Sequence, residues 1–375
     1  MMLSKLKMSL AAGLATTLVG AALTGSPALA TSKSCATANS AASCGGMKTL
    51  IAQAKKEGTL NVIALPANWA NYGQIIASFS KKYGIKVNSV NPDGSSQDEI
   101  NAVKQDRGRA AAPDVVDVGT SYAISNSGLF APYKVATWSE IPSPLKDQHG
   151  RWFDDYGGYV AIGCNTKIVS VCPTSFKELL NPRYKSEVGI NGDPTQAGAA
   201  FAALYAAALA NGGSFNNIQP GIDFFAQLNK IGNYVPGGSA ATAASGTTPI
   251  LIWWDYLQSS IQSSVSTWKV IIPSDASYAA YYTQAINATA PHPAAARLWE
   301  EYLYSRTGQN LWLKGHARPV ELAVMTAKHT ANKALLAKLP PAPKGRTNYP
   351  TLAQLAKADT VVSTNWAAAM SGSNG

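Results

Sequence analysis

The 375-residue chain lacks the signatures of the common enzyme classes. It has no G-x-S-x-G, H-E-x-x-H, P-loop or G-x-G-x-x-G, so no nucleophile elbow, zincin helix or phosphate cradle is expected. Histidine is scarce: His149, His292, His316 and His329 are the only four, none at metal-ligand spacing. No metal or other cofactor is therefore expected. Charged residues make up only 14%, and the net charge of +10 comes from Lys and Arg scattered along the chain. No basic run interleaves with aromatics, which argues against nucleic acid as a partner and leaves solubility or mild steering of anions. Beyond the N-terminus no segment is long and apolar enough to span a bilayer. A secreted hydrolase with a triad drawn from distant parts stays open as a competing class, although nothing supplies an activated nucleophile beside an oriented base.

What is present begins with an export signal. Lys5 and Lys7 provide charge, Leu10 to Leu23 an apolar core, and Pro27-Ala28-Leu29-Ala30 an A-x-A-like site, so residues 1–30 are expected to be removed after Ala30. Without the two signal lysines the net charge falls from +10 to +8. Cys35 follows Lys33-Ser34 rather than a small-residue box, so a free protein is expected rather than a lipid-anchored one. The four cysteines form two close pairs, Cys35 with Cys44 and Cys164 with Cys172, in a chain sent to an oxidising compartment. Two local disulfides are the simplest connectivity, each worth about 2–3 kcal/mol. Zinc is the alternative, but neither pair has C-x2-C spacing or a nearby histidine.

From Thr59 onward the chain repeats one unit, an apolar strand, a small or polar turn and an amphipathic helix, the pattern of an α/β fold. Strands are expected at Thr59–Leu65, Ile85–Val90, Asp114–Val118, Tyr159–Cys164, Val188–Asn191 and Pro249–Trp254. Ser96 with Glu99 reads as a capping box. In the late stretch from His292 to Val320, Ala295, Leu298, Trp299, Tyr302 and Leu303 line one helical face, with Pro293 in the first turn. A break at Arg306 to Gly308, a short helix, a Gly315 stop and an extended Arg318-Pro319-Val320 follow. This length suits two lobes. The expected organisation is residues 31–162 for the first part of lobe 1, 163–270 for lobe 2, 271–325 for the return to lobe 1, and 326–375 for a C-terminal helical segment.

Several segments, in order, resemble one family and together cover roughly residues 47–325. They are PDVVDVGTSYA at Pro113 to Ala123, GLFAPYK at Gly128 to Lys134, YVAIGCNTKIV, SFKELLNPRYKSEVGINGDP and the His292 to Val320 stretch. They resemble the bacterial extracellular solute-binding proteins of family 1. The resemblance implies a type II periplasmic-binding-protein fold: two α/β lobes, the first discontinuous, closing on a ligand in the cleft between them. It implies a periplasmic protein without catalysis, expected as a monomer, that delivers a small molecule to the membrane permease of an ABC importer. Members of this group are associated with ferric iron, polyamines, thiamine and aminoethylphosphonate. An amine-bearing or phosphonate-like solute is the leading expectation here, and ferric iron the alternative.

In open α/β sheets ligands sit outside the carboxyl ends of strands, which selects Asn68, Trp69, Ser95, Ser96, Thr120 and Ser121 from the first lobe. From the second it selects Asp193, Thr195, Trp254, Asp255 and Tyr256. Helix capping is the plain alternative for Ser96 and Asp255, and an ordinary turn for Thr120 and Ser121. Trp254, Asp255 and Tyr256 suit a cationic amine, with the carboxylate as its counter-charge. Strand alternation sends Trp253 and Trp254 to opposite sides, so at most one should face the cleft. Gln196 is uncharged where polyamine-binding relatives pair a second acid with the one at Asp193, which argues against a long polyamine. The adjacent Tyr281 and Tyr282 suggest iron ligation but are better read as packing.

Overall fold

The computed structural model describes residues 34–343 and 349–371; the export signal read at residues 1–30 lies outside the described residues. Residues 33–375 cluster as one compact unit. The strands are β1 (Thr59–Ile63), β2 (Lys86–Val90), β3 (Val115–Gly119), β4 (Phe130–Ala131), β5 (Phe153–Asn165), β6 (Val188–Ile190), β7 (Tyr234–Val235), β8 (Ile250–Trp254), β9 (Trp268–Ile271), β10 (Ala279–Asn287) and β11 (Arg318–Pro319). The helices that matter below are α1 (Met47–Glu57), α2 (Tyr72–Tyr83), α3 (Ser96–Gln105), α4 (Thr120–Ser125), α5 (Gly198–Ala210), α6 (Gln219–Lys230), α7 (Asp255–Ser264), α8 (Pro293–Leu303), α9 (Arg306–Lys314) and α10 (Leu352–Ser371).

Parallel β1 and β2 form a small sheet, while the main sheet runs β3-β10-β5-β8-β6-β7, with β9 and β11 on β5 and β4 on β10. β5 organises it. Its early residues pair antiparallel with β10 and β11, its late residues with β8 and β9. All thirteen are buried, so one strand joins a first half, built on β3 and β10, to a second half, built on β8 and β6. The sequence pattern places the start of this strand at Tyr159, whereas it begins at Phe153. The difference lies in Gly157 and Gly158, which read as a break but serve close approach: an added Cβ would sit 2.1 Å from the Ala280 carbonyl oxygen and 2.2 Å from Asp255 Oδ1, respectively.

The late periodic helix α8 buries Ala295, Leu298, Trp299 and Tyr302 completely. It packs mainly beside α1 and also meets α9, β10, β1 and α2, with Phe79 of α2 meeting Trp299 and Tyr302 at 5.1 and 5.5 Å between ring centroids. The Glu57 carboxylate closes the free amides at its start, accepting from Ala294 at 3.0 Å and Ala295 at 2.7 Å. The capping box of α3 sits one residue earlier than its sequence suggests: Ser95 and Asp98 exchange the two bonds. That frees Ser96, whose hydroxyl accepts from the Gly119 amide at 3.1 Å. The cysteines pair as Cys35–Cys44 and Cys164–Cys172. Among the described residues no helix is long and apolar enough to cross a membrane.

Candidate functional site

The two halves meet face to face beside β5. Gln97 donates its backbone amide to the Gln196 carbonyl at 3.2 Å, and Trp69 packs edge-on against Trp253, with ring centroids 5.5 Å apart. At Gly119 and Gly198 the backbones are so close that a Cβ on either would lie 3.1 Å from the other's Cα. Glycine suits both positions, since a Cβ on either would have to push the other backbone back by a few tenths of an ångström.

Between them lies a cavity of about 50 Å³ whose walls include Thr120, Ser121, Asp154, Trp254, Tyr278, Tyr281, Tyr282 and Tyr349. β3 ends at Gly119 and turns into α4, which aims Thr120 and Ser121 inward. Asp154, near the start of β5, provides the only carboxylate in the wall, and no Lys, Arg or His is among the described wall residues. Its Oδ1 accepts from the Thr283 hydroxyl at 2.6 Å and faces Thr120 Oγ1 at 3.4 Å. Burial pushes this carboxyl up to about 8 and the charge of Asp117 adds to the rise, although the hydroxyls of Thr283 and Thr120 pull it down.

Tyr281 and Tyr282 both border the cavity, although neighbours on a strand normally face opposite ways. Their contacts nonetheless diverge, Tyr281 meeting the ring of Tyr349 and Tyr282 those of Trp69, Tyr156 and Trp254, and the pairing of β10 with β5 shifts register between Tyr281 and Thr283. Tyr281 lies 5.8 Å from the ring of Tyr349, and burial raises both hydroxyls. Behind the cavity the Trp69 indole donates to the Tyr156 hydroxyl at 2.8 Å, and Tyr156 and Tyr72 both donate to Asp117 Oδ2, at 2.8 and 2.7 Å. Burial raises Asp117 to about 7 against the pull of those hydroxyls.

The residues selected from the sequence divide into three groups. Thr120, Ser121 and Trp254 line the cavity, and Ser96 supports it through the Gly119 amide. Trp69 lies at the contact between the halves, and Ser95 caps α3. Asn68 and Asp193 are exposed, with Asp193 Oδ1 accepting from the Thr195 amide and hydroxyl in a local turn. Asp255 is fully buried away from the cavity wall and occupied: Arg318 donates to Oδ2 at 2.5 Å, and the Tyr159 and Tyr256 amides donate to Oδ1 at 3.0 and 2.9 Å. Tyr256 is buried beneath, stacked on Trp254 with ring centroids 6.2 Å apart. Of the two tryptophans, Trp254 is among the cavity-wall residues, whereas Trp253 is not and packs against Trp69.

Asp154 and Tyr349 were not singled out from the sequence. Asp154 sits in an acidic pair, Asp154-Asp155, on what reads as the approach to a strand, and only the partners of the two carboxyls separate them. Asp155 turns the other way, accepting from Gln284 at 3.0 Å. No local pattern marks Tyr349.

Residues 114–343 match the model of a family described as bacterial extracellular solute-binding proteins. Among solved structures, the periplasmic binding protein AfuA from Actinobacillus pleuropneumoniae, with fructose-6-phosphate bound, is 18% identical with a TM-score of 0.67 over 84% of this chain and 99% of that one. Iron-bound HitA from Pseudomonas aeruginosa is 19% identical with a TM-score of 0.60, covering 81% and 97%. A structure described as the Atu4243–GABA receptor is 17% identical with a TM-score of 0.61, covering 83% and 97%. At these identities the structural likeness carries the fold alone, two α/β lobes of the type II arrangement. The family match covers more than half of the chain, which thus belongs to the bacterial extracellular solute-binding proteins.

Proposed function

We propose that the protein is the periplasmic substrate-binding component of an ABC importer, and that it closes its lobes on a small amine-bearing solute which it hands to a membrane permease. Asp154 carries this reading. It is a buried carboxylate on the cavity wall, held by hydroxyls and unmatched by any described cationic wall residue, and Trp254, Tyr278, Tyr281 and Tyr282 surround it. An ammonium group there would gain charge pairing and aromatic faces together. Thr120 and Ser121 provide hydroxyls from the first lobe, and Trp254 an aromatic wall from the second. The expected lobes, 31–162 with 271–325 and 163–270, place their division inside β5. A phosphonate or other anion fits this wall less well, since among its described residues Asp154 is the sole carboxyl and there is no Lys, Arg or His. Ferric iron is the second reading, favoured by the phenols of Tyr281 and Tyr349 beside Asp154, but burial holds those phenols in the neutral form.

Thermal unfolding with 4-aminobutyrate, putrescine, spermidine, thiamine, aminoethylphosphonate, fructose-6-phosphate and ferric citrate tests the reading. A ligand at a hundredfold excess over its Kd adds about 2.7 kcal/mol and raises Tm. A rise with an amine and none with fructose-6-phosphate or iron is expected. A response confined to the phosphorylated or ferric probes would overturn it.

A further inference from the structure

The family match ends at residue 343, yet the chain continues into α10, a twenty-residue helix placed at the cleft. Leu355, Ala358, Val362 and Trp366 recur at helical spacing and are buried, so one face of α10 is committed to the body. That face touches both halves: α10 packs on α6 of the second and on α4 of the first, the helix that begins with Thr120. Tyr349, Pro350, Leu352 and Leu355 form part of the cavity wall.

The two attachments differ in how many directional bonds hold them. Toward the second half the segment is pinned by directional bonds. Gln354 donates to Asn216 at 3.0 Å, Asn365 donates to Gln219 at 2.8 Å, Asn229 donates to the Met370 carbonyl at 2.9 Å, and the Tyr205 hydroxyl donates to the Gln354 carbonyl at 3.2 Å. Trp366 adds a ring contact with Phe225 of α6, centroids 6.0 Å apart. Toward the first half there is packing on α4 and one directional contact, the hydrogen bond between the Tyr281 and Tyr349 hydroxyls, whose ring centroids lie 5.8 Å apart. When two lobes separate, a helix stays with the side that holds it by several oriented hydrogen bonds and leaves the side that holds it by a single one.

We infer that residues 349–371 are a built-in lid of the ligand cleft, carried by the second lobe, which docks on α4 as the lobes close and adds Tyr349 and Leu355 to the ligand's surroundings. This rests on the cleft reading above. The lid would set the maximum ligand size and slow exchange, since the lobes and the lid must both move before a solute can leave.

A single introduced thiol tests it, because all four native cysteines are in disulfides. Ala202 lines the cavity and is 2% exposed, so Ala202→Cys reports access through its rate of N-ethylmaleimide labelling. The comparison uses the intact chain, a chain ending at Pro343, and the intact chain carrying Ala358→Asp on the buried face of α10. Labelling faster by roughly tenfold or more in the two altered chains, each with cooperative thermal unfolding retained, is the expected result. An unchanged rate in either folded variant overturns the lid, and if the truncated chain does not fold, Ala358→Asp alone decides. Failure of both to fold would make α10 a core element and also overturn it. A gated thiol without any response in the solute panel removes the amine reading and leaves the lid, while solute binding with an ungated thiol does the reverse.

Discussion

Asp154 and Asp255 are both buried carboxylates beside the line where the two halves meet, and they are differently employed. Asp255 has a guanidinium on one oxygen and two backbone amides on the other, so its charge is already matched within the fold. Asp154 has hydroxyls for partners and a cavity in front of it. A carboxylate with a full set of donors holds structure together, whereas one that lacks a cation keeps its charge available for a ligand. The aromatic neighbours that make Asp255 look like an amine site in the sequence serve the cavity through Trp254 alone.

Substitutions at both sites sharpen that contrast. The largest effect is expected from Arg318→Leu, which strands Asp255 as an uncompensated buried charge and should lower stability by about 3–5 kcal/mol in denaturant unfolding. Asp154→Asn should leave the fold intact and weaken an amine ligand by about 2 kcal/mol or more, roughly thirtyfold by calorimetry. Equal damage to stability from the two changes would erase the distinction. A smaller loss is expected from Gly198→Val, whose Cβ would press on the Gly119 backbone in the closed form. Overpacking of about 1–3 kcal/mol should appear as weaker ligand binding with the isolated lobes' unfolding little altered.

The mildest effect is that of pH. A carboxyl raised to about 8 in the folded protein binds a proton more tightly there than in the unfolded chain. Its contribution to stability is complete below the unfolded value of about 4 and is lost as pH rises through about 8. The ligand-free protein should therefore melt a few degrees lower at pH 8.5 than at pH 5, and Asp154→Asn should reduce that difference. Amine affinity should run the opposite way, strengthening as Asp154 ionises and releasing a proton on binding below pH 8. Affinity that falls across this range would remove Asp154 from the ligand's surroundings.

Much of the architecture was legible because its signals are local. Helix periodicity in α8, the strand runs and the two close cysteine pairs depend on residues within a dozen positions of one another. The capping box slipped by one residue because Ser95 and Ser96 are chemically equivalent, with an acid three residues beyond each; only the backbone geometry chose between them. The site was harder. Thr120, Ser121 and Trp254 followed from the rule that ligands gather at strand ends, while Asp154 and Tyr349 have no such rule behind them.

What the sequence by itself determined is the order of strand-turn-helix units, the cysteine pairs and, through the ordered series of segments that resemble it, the family. Tertiary structure alone decided which carboxylate faces the cavity, which partners each of two adjacent tyrosines meets, and where the C-terminal helix lies. The reason is distance along the chain. Asp255 takes its counter-charge from Arg318, 63 residues away, Asp154 takes its hydroxyl from Thr283, 129 residues away, and α10 takes its hydrogen bonds from a helix more than a hundred residues earlier. Whether a buried charge is satisfied depends on those remote partners, and no local pattern records them.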